Sequence, residues 1–442
     1  MKSLKLLLRF AAVGGLVLLL MIPLSMIRGT IAERKSYRDE ATDRVARSSA
    51  GQQQLMAPLR VVPYADSRVV ESTDARGVTS KRTVTTTGTL LQTPATLEIK
   101  GTILPDTRKL GLFEVRVYRL RAALDATFET VLPPPAAQVA REYGAPYLLF
   151  GMSDVRGLVG TPGLQVDGRA LRFSPGTRDL AAAVSGVGAS LPPVAQWRAA
   201  GQRVHMEFVI AGTQSLSIVP VADSNRITVD SEWPHPSFAG DFLPTERQVF
   251  PQDRGFSAQW DVSSLASQAQ EQIRGMKGAE TQVERISISL VDPVDVYTQA
   301  ERASKYGILF VLLTFVAFGL FELIKRLPIH PLQYLLVGLA LALFFLMLLS
   351  LSEHIAFWQA YILSSVAGIG LQFVYLSGVL QSWRRAGGFA LMLTALYGVL
   401  YGLLVSEDNA LLMGSLLLFG VLAAIMWITR RVDWYELGAS LR

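Results

Sequence analysis

The sequence contains no cysteine and only four histidines in 442 residues. The first absence excludes a disulfide-stapled scaffold and a thiol nucleophile. The histidines, His205, His235, His330 and His354, are far apart, and no H-E-x-x-H helix, G-x-S-x-G elbow or P-loop occurs. Charge is also scarce: 18% of residues are Asp, Glu, Lys or Arg, against 50% apolar. That balance excludes a disordered chain, and 21 prolines with 36 glycines are too few for a collagen-like fibre. What charge there is sums to +6, with a pI near 9.5, a value that by itself would suit a nucleic-acid partner.

The scarcity is uneven. Residues 307–442 hold 13 charged residues in 136, whereas residues 1–306 hold 65 in 306. The C-terminal third therefore reads as membrane-embedded. Phe10 to Ile27 is an uncharged run of 18 residues preceded by Lys2, Lys5 and Arg9. It is long for a signal-peptide core and is followed by no A-x-A site, so it reads as an uncleaved anchor. Five further apolar runs occupy about 307–324, 331–351, 355–380, 389–405 and 410–429. The connections between them are too short for anything but antiparallel helical hairpins.

Basic residues fix an orientation. With the N-terminus inside, the segments 1–9, 325–330, 381–388 and 430–442 carry ten Lys or Arg, and the two short outer loops, 352–354 and 406–409, carry none. The positive-inside rule then predicts six spans with both termini cytoplasmic. The expected organisation is a cytoplasmic N-terminus (1–9), a first span (10–27), a periplasmic domain (28–306), a five-helix bundle (307–429) and a cytoplasmic tail (430–442). Most of the net positive charge is thereby a record of orientation, and no nucleic-acid partner is expected; the bilayer is.

Residues 28–58 read as a helical extension of the first span. Strand alternation follows at Phe113, Val115 and Val117, at Met206, Phe208 and Ile210, and at Ile286, Ile288 and Leu290, with Thr83–Thr89 also strand-like. Helical patterns appear near 135–143 and 263–274, the second with Ser263 or Ser264 as cap. The segment is predicted to be a strand-rich α+β domain, with Pro192-Pro193 as a joint between two halves. A strand–helix–strand order near 112–156 and again near 256–292 suggests a duplication. Asp292-Pro293-Val294-Asp295 carries a helix-start signature, and the helix is expected to run through Tyr306 into the second span, either as a mechanical tie or as a simple stalk.

Several strings carry a family resemblance: GMSDVRG at Gly151–Gly157, SEWPHPSFAGDFLP at Ser231–Pro244, DPVDVY at Asp292–Tyr297, KYG at Lys305–Gly307, Thr314-Phe315, Phe321-Glu322, PIHPLQYLLVG at Pro328–Gly338, LSEHI at Leu351–Ile355, SED at Ser406–Asp408 and TRRVDWY at Thr429–Tyr435. Over essentially its whole length the chain resembles the CreD family of inner-membrane proteins. The resemblance implies a role in cell-envelope integrity, within a two-component regulon that answers envelope or β-lactam stress. It implies no catalytic residues.

Two candidate sites stand out. Ser352-Glu353-His354 and Ser406-Glu407-Asp408 occupy corresponding hairpin positions, so Glu353, His354, Glu407 and Asp408 form a candidate acidic cluster at the outer mouth of the bundle. Helix capping accounts for such residues too. As a site, the cluster would take a cation, a basic segment or a basic partner, with His354 as a pH sensor. Trp233, His235 and Phe238 form a candidate periplasmic binding loop, or else a stiff structural turn. Asp154 and Arg156 read as a structural pair. Glu322 pairs with Lys325 or Arg326 or snorkels. Ser364, Ser365, Gln372, Tyr375, Ser377 and Gly398-x-x-x-Gly402 read as ordinary glue between membrane helices. The reading that results is a non-enzymatic envelope-stress protein, without cofactor or metal, that binds a periplasmic or envelope partner. A transporter or flippase-like protein acting on a lipid or small molecule is the alternative, and a hydrolase comes third. Charge only at span ends argues against ion-coupled transport.

Overall fold

The computed structural model describes residues 2–73, 79–178, 185–197, 201–250, 254–276, 283–290, 296–325, 330–405 and 410–430. In chain order the elements begin with helix α1 (Lys2–Ser48) and strands β1 (Gln53–Thr73), β2 (Thr79–Gln92), β3 (Thr96–Leu110), β4 (Phe113–Phe128), β5 (Ala140–Tyr143) and β6 (Tyr147–Met152). Strands β7 (Gly163–Val166), β8 (Arg169–Ala170), β9 (Ser174–Pro175), β10 (Gly186–Ser190), β11 (Gln202–Thr213), β12 (Ser215–Val219) and β13 (Ser224–Ser231) follow. Then come β14 (Ser237–Gly240), β15 (Glu246–Val249), β16 (Phe256–Ser263), helix α2 (Ala269–Arg274) and β17 (Ile286–Ser289). Helices α3 (Val296–Lys325), α4 (Pro331–Ser352), α5 (Phe357–Val379), α6 (Trp383–Val405) and α7 (Ala410–Thr429) complete the chain. These elements form two compact units, a helical one of Met1–Arg38 with Val294–Arg442 and a strand-rich one of Asp39–Pro293.

The strand-rich unit is two sheets around one core. The larger has the order β14-β17-β12-β1-β6-β10-β9, with β2 and β5 also on β1; the other is β15-β16-β13-β3-β4-β11-β7-β8. Alternation explains the strands: β4 buries Val115, Tyr118, Leu120, Ala122, Leu124, Ala126 and Phe128 and turns the residues between them outward. Ring pairs join the sheets, Phe150 to Phe208 at 5.0 Å, and Phe238 to Phe256 and Trp260 at 5.5 and 5.6 Å. Arg60 is fully buried at one end of this core, between the rings of Phe128 (5.0 Å) and Trp197 (4.2 Å). It donates to Gln92 (2.9 Å), Gln202 (3.1 Å) and the Glu129 carbonyl. Burial pulls its pKa down to about 10.

The GMSDVRG string closes the end of β6 onto β1. The Asp154 carboxylate caps a 3-10 turn at Val155–Gly157, accepting from the Arg156 backbone at 3.1 Å, from its guanidinium at 2.6 Å and from the Gly51 N–H at 3.2 Å. The Asp154–Arg156 pair is thus part of a turn. A Cβ on Gly157 would lie 2.3 Å from Gln53 Nε2 and 2.4 Å from the Ala211 carbonyl, so no larger residue fits.

Several expectations are corrected. Helix α1 ends at Ser48, and Gln53 onward is strand, so the helical extension is shorter than 28–58. Residues 140–143 are a strand and not a helix: Pro133, Pro134 and Pro135 remove three N–H donors upstream, and antiparallel pairing with Tyr64–Ser67 captures the segment. The second helix is confined to Ala269–Arg274; Ser267, one turn beyond Ser263, accepts from the Ala269 N–H, while Ser263 accepts from Leu265. With no helix near 140 the suggested duplication has no structural counterpart. Strands from both sides of Pro192-Pro193 share each sheet, so the doublet follows β10 without joining two halves.

Among the described residues, five helices are long and apolar enough to cross a membrane: Val13–Ser48, Val296–Gly319, Pro331–Ser352, Phe357–Val379 and Trp383–Val405. The apolar stretch of α7, Leu412–Trp427, is shorter. Helix α3 passes Tyr306 unbroken, while the Asp292–Asp295 start signature lies outside the described residues. Helix α4 packs on α3 and α5, and α6 on α3, α5 and α7. Helix α1 buries Leu20, Leu24, Ile27 and Ile31, one face at alternating steps of four and three. A Cβ on Gly338 would meet Leu20 Cδ1 at 2.1 Å, so that glycine is where α1 and α4 approach. His330 caps α4, accepting from the Leu332 N–H at 3.2 Å while Gln333 returns a bond to its own N–H at 3.0 Å.

Candidate functional site

Of the four residues of the outer-mouth cluster, Glu353 and His354 are described; Glu407 and Asp408 lie outside the described residues. Glu353 ends α4 with its side chain only 8% exposed. Its Oε1 lies 3.6 Å from Arg34 Nε of α1 and accepts from the Tyr297 hydroxyl of α3 at 3.2 Å. His354 is exposed beside it. Around this point α1 and α3 are tied again, Lys35 to Glu301 at 3.6 Å and Arg28 to the Ser304 carbonyl at 2.9 Å. The carboxylate thus ties the end of α4 to Arg34 of α1 and Tyr297 of α3, a latch between the three helices.

The Trp233 loop divides in the structure. Trp233 is 5% exposed, donates to the His235 carbonyl at 2.8 Å and lies under the Arg116 guanidinium at 4.9 Å. Phe238, on β14, packs inward on Phe256 and Trp260. His235 alone of the three is exposed. Proline on each side of His235 and two aromatic anchors make this a rigid corner of the core.

A third site was not singled out from the sequence. Strand register places six polar residues side by side across the eight-stranded sheet: Gln165, His205, Asp125, Glu98, Arg226 and Asp261. At about 4.8 Å per strand the row is roughly 24 Å long. It lies on the outward face, because the intervening residues Leu97, Ala126 and Val204 are buried. The adjacent row is Arg203, Thr127, Thr96 and Ser224. Apart from Asp261, which flanks it, the residues of the two rows line a cleft of about 490 Å³.

The electrostatics of the row are internally balanced. Asp125 and Glu98 stand directly opposite one another, an arrangement that repels unless cations flank it. His205 Nδ1 lies 2.7 Å from Asp125 Oδ1 and its Nε2 lies 3.7 Å from Glu207. Lys100 holds Glu98 at 2.7 Å, and Arg226 holds Asp261 at 2.8 Å. The Asp125 hydrogen bond, with Glu207 behind it, raises the His205 pKa, and Arg226 lowers that of Asp261. The cleft so lines up guanidinium, imidazole and amide groups beside carboxylate and hydroxyl acceptors, which suits a neutral or zwitterionic ligand rich in hydrogen-bonding groups. Among the described residues no group of three His, Cys, Asp or Glu is placed to hold a metal ion.

The row escapes sequence reading because each member looks like an ordinary outward residue of an alternating strand. Only register aligns six strands, and no short-range spacing encodes it.

Five membrane-length helices and a two-sheet unit with a polar cleft define a multi-span membrane protein carrying a large β domain. The family model described as Inner membrane protein CreD matches residues 5–435. The chain is 36% identical over 431 residues to Inner membrane protein CreD of Escherichia coli (strain K12), covering 97% of this chain and 93% of that protein. The chain belongs to the CreD family.

Proposed function

We propose that this protein is a multi-pass inner-membrane protein that supports envelope integrity under β-lactam and related stress, acting by binding and without catalysis. In this reading the strand-rich unit lies on the periplasmic side, α7 is a sixth span and both termini are cytoplasmic. The ten-to-zero distribution of Lys and Arg between the inner and outer short segments supports that orientation. The ligand is a cell-wall component bound in the cleft of the eight-stranded sheet. The observation that carries the reading is the register-aligned row of Gln165, His205, Asp125, Glu98 and Arg226 that lines that cleft. Both nitrogens of His205 face carboxylates, which favours a charged, binding imidazolium over a free general base.

The test is complementation. Cells lacking their own copy should regain β-lactam tolerance with the wild-type protein, and should not regain it with Asp125→Asn, His205→Gln and Arg226→Gln combined at equal membrane abundance. Full rescue by the triple variant would overturn the assignment of the cleft.

A further inference from the structure

The inward face of α5 is unusual for a membrane helix. Ser364, Gly368 and Gln372 follow one another at steps of four residues and so share a face, and Ser364 and Gln372 are 0% and 2% exposed. Among the described residues, neither the Ser364 hydroxyl nor either end of the Gln372 amide has a hydrogen-bond partner. The same holds for the hydroxyl of Tyr397, 2% exposed on α6. These groups are neighbours: the Tyr397 oxygen sits 3.5 Å from where a Cβ on Gly368 would be, between the turns that carry Ser364 and Gln372. Phe310 of α3 and Phe344 of α4 close the other side of the Tyr397 ring, edge-on at 4.8 and 4.6 Å.

Glue between membrane helices is expected to satisfy itself across the interface, as Tyr361 does by donating to the Tyr397 carbonyl at 2.7 Å. Ser364, Gln372 and Tyr397 do not. An unmatched polar group in hydrocarbon is strongly unfavourable, so a cluster of three calls for a partner. Gly368 is the central residue of the 23-residue α5, which puts the cluster at the middle of a span, where a lipid headgroup does not reach at rest. No charged side chain lies among the groups named, and together they present both donors and acceptors.

We infer that helices α3 to α6 enclose a mid-span hydrogen-bonding site for an uncharged, hydroxyl-bearing ligand, whose smallest member is water. The inference goes beyond the binding role of the strand-rich unit and is independent of it. It gives the helical unit a solute or water site where the proposed function requires only anchorage.

The experiment uses the full-length protein in lipid nanodiscs. X-ray radiolysis in heavy-oxygen water generates hydroxyl radicals from bound water in place, and peptide mass spectrometry reads the label on Tyr397. Native mass spectrometry of the same sample reads any retained small molecule. Bound water gives heavy-oxygen labelling of Tyr397 that is lost in both Gln372→Leu and Ser364→Ala; the conservative serine variant guards against misfolding of the first. A larger occupant gives an unlabelled Tyr397 and a retained mass that both variants lose. An unlabelled Tyr397 with no retained mass overturns the inference, as does labelling or retained mass that persists unchanged in the two variants.

Discussion

Arg60, Gly157 and His205 show how much single residues fix in the strand-rich unit. Arg60 is a buried cation held by two amide oxygens, a carbonyl and two rings. Arg60→Met keeps the bulk and strands three acceptors, so denaturant unfolding should show a loss of about 3 kcal/mol. Gly157→Ala drives a Cβ against backbone and should cost roughly 1–3 kcal/mol by the same measurement, since the Ala211 carbonyl cannot move aside as a side-chain tip would. His205 has a folded pKa raised by Asp125, so its stabilisation is complete below the ordinary histidine value of 6.5 and fades as pH rises through the raised value. Thermal midpoints of wild type and His205→Gln should therefore differ most near about pH 6 and converge at alkaline pH. Of these three only Gly157 stood within a string the sequence marked, and its reason, the Gln53 side chain and the Ala211 carbonyl packed against it, is not local.

At the scale of elements, the sequence is most legible where one environment covers a whole segment. The spans read at 331–351 and 389–405 are the helices Pro331–Ser352 and Trp383–Val405, because a bilayer selects apolar composition continuously along a helix. Long alternating strands such as β4 and β11 are legible for the same reason, one buried face each. Short elements are not: 135–143 has helix-compatible alanines, and pairing with β1 overrides them. The latch at Glu353 lies between these cases. Its acid was visible, whereas its partners lie far upstream in sequence, Arg34 by hundreds of residues and Tyr297 by dozens. A double-mutant cycle on Arg34→Gln and Glu353→Gln in the full-length protein should give a coupling of roughly 1 kcal/mol, since Glu353 is nearly enclosed and Arg34 is partly exposed. Additive single effects would remove the latch.

At the scale of the whole molecule, the proposed function places the two units in distinct solvents, and the ten-to-zero distribution of Lys and Arg between the short segments is what supports that orientation. The absence of native cysteine makes that testable without background. Thr102→Cys, on the exposed face of β3, should react with a membrane-impermeant maleimide in cells with a permeabilised outer membrane, and Ser382→Cys, before α6, should react only after the inner membrane is opened. The polar cleft was invisible at every smaller scale, since it exists only when β7, β11, β4, β3 and β13 are in register. Its ligand is the centre of the account, and one measurement addresses it most directly: co-sedimentation of the full-length protein, in nanodiscs, with purified peptidoglycan sacculi. The account predicts that wild-type protein pellets with sacculi and that the Asp125→Asn, His205→Gln, Arg226→Gln variant stays in solution. Failure of the wild type to pellet, or equal pelleting of the variant, would contradict it.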